Sequence, residues 1–317
     1  MDKEKLKKII NVAGRVITIL SLIFVVRAVY RLGFDPGLVS NVPAFVGVAL
    51  FSALLFAGGV YVQGLAWKTL LDYFGSGKAD TGEALCVYAK ANIGKYLPGN
   101  VMHYVERNLF AAKYEIPQSA AALSSVFEIG AQVAAAFIIA VVTGGSAIFG
   151  VMDEMLTTSW RSYLLPGVLV LVCLCVVMAL IIRRFMGEKI KKFFTEHPLP
   201  GFVSAICRAV LLCMPLMFIG SAVMVVLYAF MGGTVDRAAI AGIVPGYVMA
   251  WLLGFVVPGA PGGIGVREFV LTLTVAPIVG SERTLTMMLI HRLINILGDA
   301  AAYLIQGIIR RKQESRE

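Results

Sequence analysis

Hydrophobic residues arrive along this chain in long blocks, and the polar positions mark where those blocks end. Nearly continuous apolar runs cover residues 9–30, 42–67, 120–143, 164–182, 210–231 and 285–309. A helix needs about 20 residues to cross a hydrocarbon core of roughly 30 Å, so each run predicts one full transmembrane helix, about six in all. Two further apolar stretches, 86–110 and 239–279, are interrupted by Pro98-Gly99 and Pro258-Gly259. No segment between the runs is long enough to bury a core of its own. The pattern predicts an all-α integral membrane protein, with residues 1–317 forming a single membrane domain of eight helical elements.

Composition agrees with the pattern. Of 317 residues, 59% are hydrophobic and 15% charged, against about 25% charged in a soluble domain. The run at 9–30 follows a basic start, as a signal peptide does. It contains Arg15 and Arg27 and is followed by no small-residue cleavage site, so it is read as a retained helix. Cys86, Cys173, Cys175, Cys207 and Cys213 lie in or beside apolar runs, without CxxC spacing or nearby histidines. They are read as small buried hydrophobes, and neither a metal nor a cofactor is expected.

The net charge of +9 matters through its placement. Lys3, Lys5, Lys7 and Lys8 precede the first run, Arg183 to Lys192 follow the fourth, and Arg310, Arg311, Lys312 and Arg316 close the chain. The intervening segments 31–41, 144–163, 232–237 and 281–283 are poor in Lys and Arg. The positive-inside rule therefore puts both termini and the 183–192 loop in the cytoplasm. The basic clusters flank helix ends instead of forming one stripe, which points to anionic lipid headgroups and away from nucleic acid.

Counting crossings then constrains the interrupted stretches. With both ends cytoplasmic, 86–110 begins and ends inside, which fits a re-entrant hairpin of two short arms. The stretch 239–279 begins and ends outside. It is either a second hairpin or two full helices, and the shortness of 266–279 favours the hairpin. In both stretches an Arg follows the Pro by nine residues with a Glu beside it: Pro98, Glu106 and Arg107; Pro258, Arg267 and Glu268. Repeat one, about 9–143, and repeat two, about 164–309, thus share a helix–helix–hairpin–helix order with opposite orientation. That is an inverted-topology repeat, which in transporters places the substrate at discontinuous helices. Chance recurrence of Pro-Gly breaks is the alternative, since both residues are common in membrane helices.

Unwound backbone inside a membrane is tolerated where protein or water satisfies it, so the hairpin tips imply a polar cavity. Half-helices starting after Pro98-Gly99 and Gly262-Gly263 would aim free N–H groups into it, favouring an anion. Asn100, His103 and Arg107 share one helical face, as do Glu128, Ser124, Ser125 and Gln132. Arg292, Asn295, Asp299 and Gln306 form a stripe on the last helix, with His291 at its flank. Each charge inside the membrane costs roughly 2.5–3.5 kcal/mol on insertion scales. One reading has Arg107, Arg267 and Arg292 meeting an anionic headgroup while Glu106, Glu128 and Glu268 hold them or carry protons. The other has structural ion pairs that fix helix packing.

The stretches Gly94-Lys95-Tyr96-Leu97-Pro98-Gly99-Asn100-Val101-Met102-His103, with Arg107, and Val257-Pro258-Gly259-Ala260-Pro261-Gly262-Gly263-Ile264-Gly265-Val266-Arg267-Glu268 resemble the two signature motifs of the lysylphosphatidylglycerol synthase transmembrane, flippase-like, family. Spacing and length match over nearly the whole chain. The resemblance implies a prokaryotic cytoplasmic membrane and translocation of a lipid headgroup. It carries over onto Lys95, Pro98, Gly99, Asn100, His103, Arg107, Pro258, Gly262, Gly263, Arg267 and Glu268. Synthase members carry a soluble aminoacyl-transferase domain after the membrane part, and this chain stops at Glu317, so it implies the translocation half.

The expected function is a lipid flippase or scramblase, with an anionic or aminoacylated phospholipid or a polyprenyl-phosphate lipid as partner. An ion-coupled transporter of a small anionic solute is the alternative, with Glu128 and Asp299 as candidate proton carriers. A membrane-embedded lipid transferase is disfavoured, because no catalytic motif such as HExxH appears. A homo-oligomer is compatible with the sequence but not read from it.

Overall fold

In a computed structural model of the chain, the structure describes residues 41–75, 79–96, 102–157, 199–256, 263 and 265–314, with the backbone alone over 145–157 and 310–314. The expected spans 9–30 and 164–182, and Pro98, Gly99, Asn100, Pro258 and Gly262, lie outside the described residues.

Helix α1 spans Val42–Phe74, begun by Asn41, whose Oδ1 accepts from the Ala44 N–H at 3.1 Å. Helix α2, Thr81–Ala91, is begun by Asp80, whose carboxylate accepts from the N–H groups of Gly82 and Glu83. A 3₁₀ turn, Asn92–Tyr96, continues it. Then come α3, Met102–Ala111, and α4, Gln118–Thr157. The second half holds α5, Leu199–Phe230; α6, Arg237–Val256; α7, Val266–Thr274; α8, Ala276–Val279; and α9, Ser281–Glu314. No strand occurs among the described residues.

Five of these helices are long and apolar enough to cross a membrane: Val42–Phe74, Gln118–Gly144, Leu199–Phe230, Arg237–Val256 and Ser281–Ile309. Four coincide with predicted runs. The fifth, α6, is the first arm of the interrupted stretch 239–279 and has 20 residues, a full crossing length. It runs through Pro245 without a break, as membrane helices tolerate. The return arm is short and broken, with 9 residues in α7 and 4 in α8. In the first interrupted stretch, α2 has 11 residues and α3 has 10. At 1.5 Å per residue each reaches about half the hydrocarbon thickness.

The described helices pack in two buried clusters. Phe56, Met217, Met224, Ile243 and Met287 join α1, α5, α6 and α9, while Trp67, Leu70, Leu71 and Tyr88 join α1, α2 and α4 with α5. Lipid is as apolar as leucine, so helices associate through close packing of small residues. Ala53, Ala57, Ala131, Ala135, Ala136, Ala205 and Ala209 occupy those contacts, while Phe51, Val126, Leu211 and Leu304 face outward.

One polar fastener runs through the second cluster. Arg107 of α3 donates through Nη1 to Glu128 Oε2 of α4, with side chains 1% and 0% exposed. The other carboxylate oxygen accepts from Tyr88 Oη at 2.6 Å and Gln132 Nε2 at 2.8 Å. The guanidinium carbon lies 3.9 Å from the Tyr88 ring centre, 5.1 Å from Tyr104 and 5.8 Å from Trp67. Trp67 is itself tied to Ser125 Oγ at 3.1 Å. Rings on three elements thus enclose one ion pair. Breaking such a buried pair leaves an uncompensated charge. We expect Glu128→Gln to cost about 3–5 kcal/mol, while Arg107→Met with Glu128→Leu recovers most of the loss. Thermal unfolding in detergent micelles measures this, and equal losses in the single and double variants would show that the pair is not the fastener.

Candidate functional site

The polar stripe on α9 is where both interrupted stretches meet. Asp299, 2% exposed, receives three donors from the 3₁₀ turn that ends the first arm. Asn92 Nδ2 donates to Oδ1 at 2.7 Å, Lys95 Nζ lies 2.6 Å from Oδ2, and Tyr96 Oη also donates to Oδ2. The turn presents these groups because Asn92, Lys95 and Tyr96 recur at i, i+3 and i+4, one side of a tightly wound helix.

About two turns closer to the start of α9, seven residues before Asp299, Arg292 Nη1 donates to Glu268 Oε1 of α7 at 3.1 Å. Glu268 Oε2 accepts from the Gly265 N–H at 2.6 Å, so this carboxylate both starts α7 and ties it to α9. Gly265 has φ +87°, a conformation that favours glycine, and it turns the chain into α7.

Between these two attachments lies Arg267. It makes no ion pair or hydrogen bond among the described residues, and its Nε is buried without a partner. Its stem lies in a cradle of missing side chains. A Cβ added at Gly254 would stand 2.5 Å from Arg267 Cγ, and one at Gly263 would stand 2.8 Å from Nε. Arg292 and Glu268 are the charged groups near it, and the neutral phenols of Tyr247 and Tyr96 stand in the same neighbourhood. Three cations, Lys95, Arg267 and Arg292, therefore surround two carboxylates, Asp299 and Glu268, that are already engaged.

The remaining expected residues divide. Arg107 and Glu128 are enclosed in the aromatic fastener and do not meet Arg267 or Arg292. His103 is 5% exposed with Nδ1 unpartnered among the described residues. Glu106 lies beside Gly94, where an added Cβ would stand 2.7 Å from its Oε2 and 2.9 Å from the His103 backbone. Gly94 thus lets the 3₁₀ turn press against α3. Asn92, Tyr96, Tyr88 and Tyr247 were not singled out in the sequence. Tyr96 stands within the first signature motif, so its position was in view, but a tyrosine beside an apolar run reads equally well as an interfacial anchor.

The chain matches the family described as the lysylphosphatidylglycerol synthase TM region over residues 12–302, and it belongs to that family. Neither a curated protein nor a solved structure matches it. With its apolar helices, this makes the chain an integral membrane protein of a family tied to lipid metabolism or transport.

The glycine cradle generates a direct expectation. Gly254→Ala should lower the melting temperature of the purified protein, because its Cβ and the Arg267 stem compete for one space. Gly130→Ala, where nothing lies within 4 Å of the added Cβ, should leave it unchanged or raised. Equal behaviour of the two variants would count against the cradle.

Proposed function

We propose that this protein moves a lipid headgroup between leaflets through a polar path bounded by the two interrupted stretches. The observation that carries the reading is Arg267, a guanidinium with no partner among the described residues, flanked by ion pairs that tie α7 and the 92–96 turn to one helix. An unpaired charge inside the membrane is costly, and an anionic headgroup supplies the compensation. The acyl or prenyl chains remain in lipid, so only the headgroup has to be shielded.

On this reading α2, the 92–96 turn and α3 form a re-entrant hairpin, and α7 begins the return arm of its counterpart in an inverted repeat. Two pairings support the comparison: Arg107 with Glu128, and Glu268 with Arg292. Each joins the helix after a Pro-Gly break to a later long helix, with the signs exchanged. Asp299 and Glu268 hold the path's walls, and their bonds to Lys95 and Arg292 are the ones a passing headgroup can exchange with. Arg107 and Glu128 support the path without lining it. The termini lie in the cytoplasm, and no energy-coupling group is assigned.

Purified protein in vesicles carrying a fluorescent phospholipid in the inner leaflet tests this. An impermeant quencher should reach the label faster than in protein-free vesicles. Arg267→Ala should bring the rate down at least roughly ten-fold, the scale of one lost charged contact of about 1.4 kcal/mol or more. Lys68→Ala, at the far end of α1, should not change it. Uptake of a labelled soluble phosphate with no lipid movement would instead support the solute transporter.

A further inference from the structure

The six apolar runs and the two interrupted stretches carry four carboxylates into the membrane: Glu106, Glu128, Glu268 and Asp299. The stretches 9–30, 97–101, 164–182 and 257–262, outside the described residues, add none. Three of the four have a cation: Arg107 for Glu128, Arg292 for Glu268 and Lys95 for Asp299. Glu106 is the exception. It is 8% exposed and makes no ion pair or hydrogen bond among the described residues. A carboxylate taken out of water without a cation takes a proton instead of keeping its charge.

One neighbouring cation is free to change partners. On α3 itself His103 and Arg107 flank Glu106, and α4 brings Glu128, but Arg107 and Glu128 are committed to one another. From α2 come Tyr88, bonded to Glu128, and Lys90, partly exposed. The 112–114 turn brings Tyr114 and an exposed Lys113, and the 92–96 turn brings Tyr96, bonded to Asp299, and Lys95. The Lys95 side chain is 27% exposed. Glu106 Oε2 stands 2.7 Å from where a Cβ on Gly94 would be. That places it within about 8 Å of the Lys95 Cα, one residue on, and an extended lysine with its hydrogen bond reaches about 9 Å. His103, one turn before Glu106, already lies within electrostatic reach of Lys95. Asp299 keeps the donors Asn92 and Tyr96 whichever way Lys95 turns.

Glu106 therefore belongs to the same charge balance as the path. With Glu106 protonated, Lys95, Arg267 and Arg292 face only Asp299 and Glu268, and one positive charge stays uncompensated. With Glu106 ionised, carboxylates and cations are equal in number and the excess is gone. We propose that an anionic headgroup binds together with one proton, and that Glu106 carries the proton. The proton comes from water and forms the acid O–H of Glu106, Lys95 stays on Asp299, and the anion compensates Arg267. The proposal rests on the lipid-translocation reading and supplies the coupling ion that it leaves open. Glu128 and Asp299, the carriers expected from the sequence, are occupied by their own cations.

Short-chain phosphatidylmethanol is the probe, because its phosphodiester keeps one negative charge across a pH series. Added to the full chain in weakly buffered detergent with an indicator dye, it should remove up to one proton from solution per lipid bound. Uptake on binding means that binding weakens as pH rises. The apparent affinity should fall about ten-fold per pH unit where free Glu106 is ionised, and be level where it is protonated. Glu106→Gln, a neutral isostere of the acid, should bind at the low-pH level throughout and take up no proton. In wild-type protein with isotope-labelled glutamate, the infrared C=O band of a protonated carboxyl should grow on binding and shift with the label.

Wild-type binding without proton uptake anywhere in the series overturns the proposal, and so does an infrared band that does not follow the glutamate label, whether or not the variant folds. A folded Glu106→Gln protein that still takes up a proton overturns it as well. Arg267-dependent lipid binding with no proton uptake leaves the lipid reading standing. Soluble dimethyl phosphate binding as tightly as the lipid, with the same uptake, supports the proton site and overturns the lipid reading.

Discussion

Hydrocarbon does not hydrate charge, and the cost of burying an ionised group there orders the described part of this molecule. Arg107 and Glu128 meet that cost by enclosing one another, with rings from α1, α2 and α3 around the guanidinium. Asp299 meets it by collecting three donors from one short turn. Glu268 meets it twice, once with a backbone N–H at the start of α7 and once with Arg292. Each solution joins separate elements, near in sequence for Arg107–Glu128 and Glu268–Arg292 and far apart at Asp299, so the helices are held in register by the same groups that would be intolerable alone.

Two of these solutions differ in what they leave accessible. The Arg107–Glu128 pair is sealed, and its removal is expected to cost stability. The Asp299 and Glu268 attachments are looser, with the Lys95 side chain 27% exposed and Arg292 and Glu268 near 19% and 23%. They share one helix and flank Arg267. In the proposed function, a sealed pair and a more exposed pair made from the same residue types divide the polar residues into a scaffold and a path. That division lets a headgroup pass without unfastening the first arm from α4.

Much of this was legible in the sequence where the signal was local. Apolar length announced four of the five described spans, because crossing a bilayer is a requirement on consecutive residues. The Pro-Gly breaks announced the short helices α2, α3 and α7 for the same reason. Residue spacing put Glu128 on a face with Ser124, Ser125 and Gln132, all buried, and put Arg292 and Asp299 on one side of α9. Hydropathy leaves the stretch 239–279 open between a hairpin and two full helices, and its first arm, α6, proves to be 20 residues long while α7 and α8 have 9 and 4.

Pairing was not legible. Arg107 and Arg267 occupy the same offset from their Pro-Gly breaks and carry the same charge, yet one is enclosed with Glu128 and the other has no described partner. Nothing in either local sequence distinguishes them, since the difference lies in which helix crosses nearby and whether it brings a carboxylate. By itself the sequence determined a membrane protein, the positions of its helices and the set of charges they carry into the bilayer, because hydropathy and helical periodicity act over neighbouring residues. The tertiary structure alone decided that Asn92, Lys95 and Tyr96 converge on Asp299, that Glu268 belongs to Arg292, and that Arg267 and His291 each keep an unpaired atom. Ion pairing is settled across space, by elements up to some 200 residues apart meeting on one face of the last helix.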